Sequence, residues 1–220
     1  MNNYIIQYGK NGRECIATKF IPKDTNILQE TPFYIGICEF DNFKKQIKND
    51  LPAANKMINL APQTKKIDIT IDETNIDDYL DILFDKYETN RFEYENVLGC
   101  LVYFGSFFNH SCEPNLTYSQ FEGTLIFKTT RDVKCGEEIT VTYIDIGNTY
   151  EKRKRQLGQW GILCVCKKCI VEKNEIILKL YNAFFDGKMT LTEIFNCPDI
   201  DDICYYYDIK NFEKLFDQYY

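Results

Sequence analysis

The chain has 220 residues, of which 45% are hydrophobic and 15% aromatic, and a formal net charge of −7. This length accommodates one mid-sized domain with a buried core and at most a small appendage, and it excludes two large domains. No apolar run approaches the roughly 18 residues of a membrane span, and the acidic balance argues against direct nucleic-acid binding. Because residues 1–9 lack the features of a secretory signal, we expect an intracellular protein in the nucleus, the cytoplasm or both. We also expect a monomer with no membrane partner.

Short β-branched and aromatic runs predict several strands. Three such runs lie near the start of the chain, at Tyr4–Tyr8, Cys15–Thr18 and Ile27–Ile37, and the third is broken at Pro32. Strand character returns over Leu116–Thr142, again interrupted by turn signals. This alternation of short runs and turns is typical of a compact sheet.

Helical periodicity is clearest over Asn75–Thr89, where apolar residues recur at helical spacing. Asn75 precedes them and is a residue type that favours the N-cap position. We also expect a partly helical segment over Asp41–Gln63, a basic helix over Tyr150–Gln159 and a mostly helical tail over Glu175–Tyr220.

Ten cysteines are present, and three of them form the pattern C-x-C-x-x-C at Cys164, Cys166 and Cys169. Three thiols on one tight turn can converge on a single ion, but tetrahedral zinc needs a fourth ligand. The single histidine of the chain is His110, so the fourth ligand must come from a distant segment. Unrelated buried thiols and a disulfide are the alternatives, and the spacing and a reducing compartment favour zinc over both.

Three motifs, in this order along the chain, resemble the SET domain. They are Asn-His-Ser-Cys-Glu-Pro-Asn at 109–115, Gly136–Ile139 leading into Thr142–Asp145, and the cysteine triplet. The segments Glu151–Leu157 and Trp160–Ile162 also resemble the approach to these cysteines in SMYD-like protein lysine methyltransferases. Residues 40–74 contain no cysteine or histidine, so we expect the MYND finger of that branch to be absent.

The resemblance implies a mainly β fold with α additions, namely a SET-domain β-fold with a pseudoknot, a zinc-binding post-SET segment and a short helical C-terminal tail. The expected boundaries are 1–148 for the SET domain, with a helical segment inserted at about 40–90, then 149–172 for the post-SET segment and 173–220 for the tail.

The resemblance also implies an S-adenosylmethionine-dependent protein lysine N-methyltransferase, whose partner is a lysine-containing protein or peptide such as a histone tail. Tyr143 is the expected catalytic residue, with its hydroxyl at the point of methyl transfer. The residues expected to bind the cofactor are Gly12, Arg13, Glu14, Asn90, Asn109, His110, Tyr143, Trp160 and Ile162. The ligands expected for one structural zinc ion are Cys112, Cys164, Cys166 and Cys169.

Simpler interpretations stand beside these assignments. Tyr143 can be ordinary strand packing, His110 a hydrogen-bonded structural histidine and Trp160 a core anchor. Glu14 replaces the second glycine of the family's G-x-G loop and lacks the backbone freedom of glycine. An inactive SET-fold binding module stabilised by zinc is therefore the alternative function, although Asn109 is retained together with His110 and Tyr143.

Overall fold

The computed structural model describes residues 3–9, 12–61, 69–95, 97–175, 186–188 and 190. The chain divides into two compact units, Met1–Cys164 and Val165–Tyr220. In the second unit, residues 167–175 are helical, and most of the expected tail at 173–220 lies outside the described residues. Across the ranges described, no helix is both long enough and apolar enough to span a membrane.

The first unit begins with an antiparallel hairpin of β1 (Tyr4–Gly9) and β2 (Gly12–Ala17). Gly12 adopts a φ of 100°, a backbone conformation that favours glycine. The run Cys15–Thr18 was predicted to be a strand, and this segment is a regular strand from Gly12 to Ala17. It is a strand because its backbone pairs with β1 along its whole length.

A three-stranded antiparallel sheet follows, in the order β3-β9-β8. Its strands are β3 (Asn26–Glu30), β8 (Leu116–Phe121) and β9 (Thr124–Thr129). Gly123, with a φ of 76°, lies in the tight turn between β8 and β9.

A second antiparallel sheet has the order β4-β6-β5, formed by β4 (Tyr34–Ile37), β5 (Phe92–Tyr94) and β6 (Leu98–Leu101). The remaining pair is parallel and joins β7 (Asn109–His110) to β10 (Thr140–Val141). The strands predicted from the sequence therefore exist, but they are divided among several small sheets.

Among the described residues of the first unit, four α-helices accompany the strands. They are α1 (Phe40–Ile47), α2 (Leu51–Met57), α3 (Ile76–Asn90) and α4 (Tyr150–Gly158), and a short 3-10 helix covers Gly105–Phe107. The first three lie within the segment expected as a helical insertion.

Asn75 precedes α3 as predicted, but its side chain does not cap the helix. Its Oδ1 accepts a hydrogen bond from the Asp72 N–H, and its amide nitrogen donates to the Thr70 carbonyl, both at 3.0 Å. Asparagine side chains often bond to nearby backbone in this way, and here that local turn competes with capping.

The part of the first unit that the structure describes contains two hydrophobic cores. One packs α1, α2 and α3 around Phe43, Leu83 and Tyr87. The other packs strand residues around Phe108 and Phe127, whose ring centroids are 5.4 Å apart. Burying such a side chain contributes roughly 1.5–3 kcal/mol. Because Phe108 directly precedes β7, the second core fixes where that strand begins.

Candidate active site and metal centre

The parallel pair of β7 and β10 forms the frame of the site. Asn109 lies opposite Thr140, and His110 lies opposite Val141. Tyr143 follows two residues after β10, and its ring centroid is 5.4 Å from that of His110. The pairing therefore brings two segments of the SET-like motifs side by side.

The hydroxyl of Tyr143 donates a hydrogen bond of 2.7 Å to the carbonyl oxygen of Phe108. The residue as a whole is 38% exposed, while its hydroxyl end lies in the interior. Burial raises the pKa of this phenol well above its usual value, and the nearby Arg13 only partly opposes the effect. At neutral pH the phenol is therefore protonated and acts as a donor to the carbonyl.

Asn109 ties this frame to the β1–β2 hairpin. Its amide nitrogen donates to the carbonyl oxygen of Arg13 at 2.6 Å and to Oε1 of Glu138 at 2.8 Å. The guanidinium carbon of Arg13 lies 3.8 Å from the centroid of the Phe107 ring, a stacked cation–π contact. The backbone and the side chain of Arg13 are thus both fixed beside β7.

His110 is bound at both ring nitrogens. Nδ1 accepts a hydrogen bond of 3.0 Å from the Tyr143 N–H, and Nε2 lies 3.2 Å from the Sγ of Cys112. Burial, followed by the positive charge of Arg153, lowers the pKa of the imidazole to about 4. A neutral ring occupied at both nitrogens is poorly suited to exchange protons with a substrate.

Trp160 and Ile162 follow α4. The Trp160 ring centroid lies 6.5 Å from that of Tyr143, with the two rings nearly perpendicular. Trp160 is 38% exposed, so it is not a core anchor, and Ile162 is half-buried. Gly161, with a φ of 68°, supplies the left-handed conformation that commonly ends a helix.

Asn90 and Glu14, both expected to contact the cofactor, have side chains that contact groups other than Tyr143 and His110. The Asn90 amide donates to the carbonyl oxygens of Ala61 and Lys86, at 2.6 and 2.8 Å. The carboxylate of Glu14 packs against Gly9 in the neighbouring strand. Within the described part of the chain, neither side chain forms a hydrogen bond to Tyr143.

Four cysteine sulfur atoms form a compact cluster. The Sγ atoms of Cys112, Cys164, Cys166 and Cys169 all lie within 4.8 Å of one another. The described cysteines form no disulfide. Four thiols are the usual donor set of a closed, tetrahedral structural zinc site, with Zn–S distances of about 2.3 Å. The residues present therefore fit a zinc ion, and such a site leaves no open position for a reactant.

Sequence reasoning missed Glu30, which supports the site from β3. Its carboxylate oxygens accept hydrogen bonds of 2.7–3.1 Å from the backbone N–H groups of Tyr103, Phe104 and Gly105. These amides begin the short 3-10 helix that leads to Phe108. A lone glutamate at a strand end gives no sequence signal of this role.

Asn115, the last residue of the Asn-His motif, also had no assigned role. It is buried, accepts a hydrogen bond of 2.9 Å from the Thr140 N–H and donates one of 2.8 Å to the Glu138 carbonyl oxygen. Asn115 thus holds β10 in register with the motif segment.

Among known protein families, the SET domain matches residues 12–144, which is more than half of the chain. The chain belongs to the SET-domain family. Its SET domain includes Tyr143, the β7–β10 pair and Cys112. The mainly β fold with α additions that the motifs implied is confirmed.

Three curated relatives illustrate how this SET-domain chain resembles known proteins. It is 42% identical over 86 residues to a SET domain-containing protein of Acanthamoeba polyphaga mimivirus, covering 39% of this chain and 33% of that protein. It is 40% identical over 80 residues to a SET and MYND domain-containing protein of Dictyostelium discoideum, covering 34% and 15%. It is 25% identical over 204 residues to the histone-lysine N-methyltransferase set5 of Schizosaccharomyces pombe, covering 87% and 59%.

The matched segments thus span between 15% and 59% of these relatives' own lengths. The resemblance to SET-domain lysine methyltransferases is confirmed by the family match and by these relatives.

Proposed function

We propose that this chain is an S-adenosylmethionine-dependent protein lysine N-methyltransferase that acts on a histone or another lysine-rich protein tail. The observation that carries the proposal is the hydrogen bond from the Tyr143 hydroxyl to the Phe108 carbonyl oxygen. It fixes a neutral phenol next to the Asn109–His110 segment.

The groups around Tyr143 suit a cationic methyl donor. Carbonyl dipoles attract positive charge, and so do the faces of aromatic rings. The partly exposed rings of Tyr143 and Trp160 provide such aromatic faces. We assign Arg13, Asn109, His110, Tyr143, Trp160 and Ile162 to the cofactor site, and keep Gly12, Glu14 and Asn90 as proposed contacts. Bound S-adenosylmethionine supplies an electrophilic methyl group on its sulfonium.

Transfer to lysine requires a neutral amine aligned with the methyl group. The C–S bond breaks as the C–N bond forms, and the amine nitrogen gives up one proton to water. Tyr143 contributes position, because its hydroxyl is held by Phe108 and its raised pKa keeps it protonated throughout. Its oxygen can accept a hydrogen bond from the amine, orienting the lone pair toward the methyl carbon.

The four clustered cysteines would hold one structural zinc ion. Zinc binding by thiolates contributes free energy to folding and takes no part in bond making. Because Cys112 follows His110 by two residues, we assign the metal a role in assembling the segment that contains Asn109 and His110.

The substrate class follows from charge and from the relatives. A net charge of −7 favours association with electropositive partners such as lysine-rich tails. One relative carries the name histone-lysine N-methyltransferase. Histones are therefore the first substrates to test.

The test is transfer of radiolabelled methyl groups from S-adenosylmethionine to histones and to a whole-cell protein extract. Tyr143→Phe removes the proposed catalytic hydroxyl. Tyr118→Phe is the matched control, since its hydroxyl contacts the Glu93 N–H in another sheet. Labelling by the unaltered chain and by Tyr118→Phe, but not by Tyr143→Phe, supports the proposal.

A second candidate function is an inactive SET-fold binding module. Glu14 favours it, because a carboxylate packed against Gly9 replaces a family glycine. Calorimetry distinguishes the two functions. Cofactor binding without labelling of any histone or extract protein would favour the inactive module.

A further inference from the structure

The imidazole of His110 has a defined tautomer because of its two contacts. Nδ1 accepts a hydrogen bond of 3.0 Å from the Tyr143 N–H, so this nitrogen carries a lone pair and no proton. A neutral imidazole has one N–H, which must then be on Nε2. Nε2 lies 3.2 Å from the Sγ of Cys112, so the N–H is directed at that sulfur.

We propose that His110 is a positioning residue that holds the Cys112 sulfur as a metal-binding thiolate and, through the opposite ring nitrogen, holds the backbone of Tyr143. This inference rests on the proposed zinc site. It differs from the expected cofactor contact, since it gives the side chain a structural task between metal and catalytic tyrosine.

The chemistry favours a donor at this sulfur. Four thiolates around one Zn²⁺ carry an excess of negative charge, and a hydrogen bond to a charged acceptor is stronger than one between neutral groups. Groups that hydrogen-bond to metal ligands also orient them, and their loss typically lowers metal affinity by about 10–100-fold. Cys112 is buried, so water cannot readily replace the imidazole donor.

The same ring connects metal and tyrosine through one rigid body. The imidazole has no internal torsion between its two nitrogens, so the position of the Cys112 sulfur and that of the Tyr143 N–H are fixed relative to each other. A residue that merely fills space would need neither nitrogen. Polar substitutes that each reproduce one of the two contacts can therefore separate them.

His110→Gln and His110→Asn form a matched pair. The glutamine amide can reach the position of Nε2 and donate to Cys112, whereas the asparagine oxygen can replace Nδ1 and accept from Tyr143. We expect His110→Asn to release zinc to a chromogenic chelator about 10–100-fold faster than the unaltered chain. We expect His110→Gln to stay within about threefold of the unaltered chain, because its amide still donates to the Cys112 sulfur.

The second readout is hydrogen exchange of the Tyr143 backbone amide, followed by NMR. It should accelerate in His110→Gln and remain near the original rate in His110→Asn. A third readout is the thiolate-to-metal absorption of cobalt-substituted protein, which should shift in His110→Asn and not in His110→Gln.

Equal zinc release and equal cobalt spectra in the two variants would overturn the inference while leaving the zinc site intact. A wild-type chain that purifies without zinc and fails to take it up would overturn the metal site, and this inference with it. Faster zinc release in His110→Asn, together with faster exchange of the Tyr143 amide in His110→Gln, would establish both contacts.

Discussion

The hydroxyl of Tyr143 and the carbonyl oxygen of Phe108 are joined by a 2.7 Å hydrogen bond across 35 positions of sequence. Phe108 is fully buried in the strand core, so the acceptor cannot move without disturbing that core. The orientation of the hydroxyl is consequently set by packing, and the phenol is pre-positioned in the absence of a substrate.

Tyr143→Phe should lower turnover by about 10²-fold, because removing one pre-oriented group of an active site commonly has an effect of this size. Cofactor affinity should change little, since the ring and its contacts remain. Steady-state kinetics and calorimetry measure the two quantities. Turnover equal to that of Tyr118→Phe would mean that Tyr143 is ordinary strand packing.

Cys112→Ser should reduce bound zinc and weaken cofactor binding together. Zinc binding by small structural sites is worth about 10–16 kcal/mol and is coupled to folding, so losing one ligand should cost several kcal/mol of it. Metal content is measured by mass spectrometry. Cys135→Ser is the control, because Cys135 is exposed and its Sγ contacts the Thr18 carbonyl oxygen. Normal zinc in Cys112→Ser would exclude Cys112 from the ligands.

Glu30→Gln should destabilise the fold and lower turnover. One carboxylate oxygen of Glu30, which accepts hydrogen bonds from backbone N–H groups, is then replaced by an amide group that is itself a donor. A buried donor left without an acceptor costs about 1–3 kcal/mol. Urea unfolding measures the change. Glu122→Gln, an exposed residue in the β8–β9 turn, should be nearly neutral. Equal midpoints for the two variants would refute the supporting role of Glu30.

Glu137 gives a pH dependence. Burial raises the pKa of Glu137, but hydrogen bonds from Arg131, Lys134 and Asn115 together lower it by more than burial raises it. The folded-state pKa therefore lies below the usual value. The unfolded chain then binds more protons, and the stabilisation is complete above the unfolded pKa of about 4.3. It disappears as the pH falls through the folded-state pKa.

The measurement is the difference in unfolding free energy between the unaltered chain and Glu137→Gln, at neutral pH and over a series of falling pH values. The difference should be below about 1 kcal/mol at neutral pH, because the Arg131–Glu137 pair is partly exposed, and should vanish in acid. Loss of zinc in acid affects both chains alike. A difference independent of pH would show that the Glu137 carboxylate is not the stabilising group.

Features carried by side-chain spacing were predictable. The apolar period of 75–89 predicted α3, which spans Ile76–Asn90. The spacing of Cys164, Cys166 and Cys169 predicted a shared ligand turn, and family resemblance added Cys112. These are the four cysteines that cluster. The roles assigned to Tyr143 and the cofactor residues stay predictions.

Features carried by the backbone were not predictable. Every residue has a carbonyl, so nothing in the sequence distinguishes Phe108 as the acceptor for Tyr143. Glu30 reaches amides about 75 positions away, a proximity that no local pattern encodes. The extension of the strand predicted at Cys15–Thr18 back to Gly12 has the same origin, since β2 depends on pairing with β1.

The amide of Asn109 bonds to the carbonyl oxygen of Arg13 across 96 positions, and the short parallel pair closes over about 30 more. Contacts between such distant positions form slowly, because chain closure costs entropy before any contact repays it. The site therefore has no contiguous fragment that could be excised or grafted. Nearly the entire SET domain, from Arg13 through Tyr143, must therefore leave the ribosome before the contacts around Tyr143 can form.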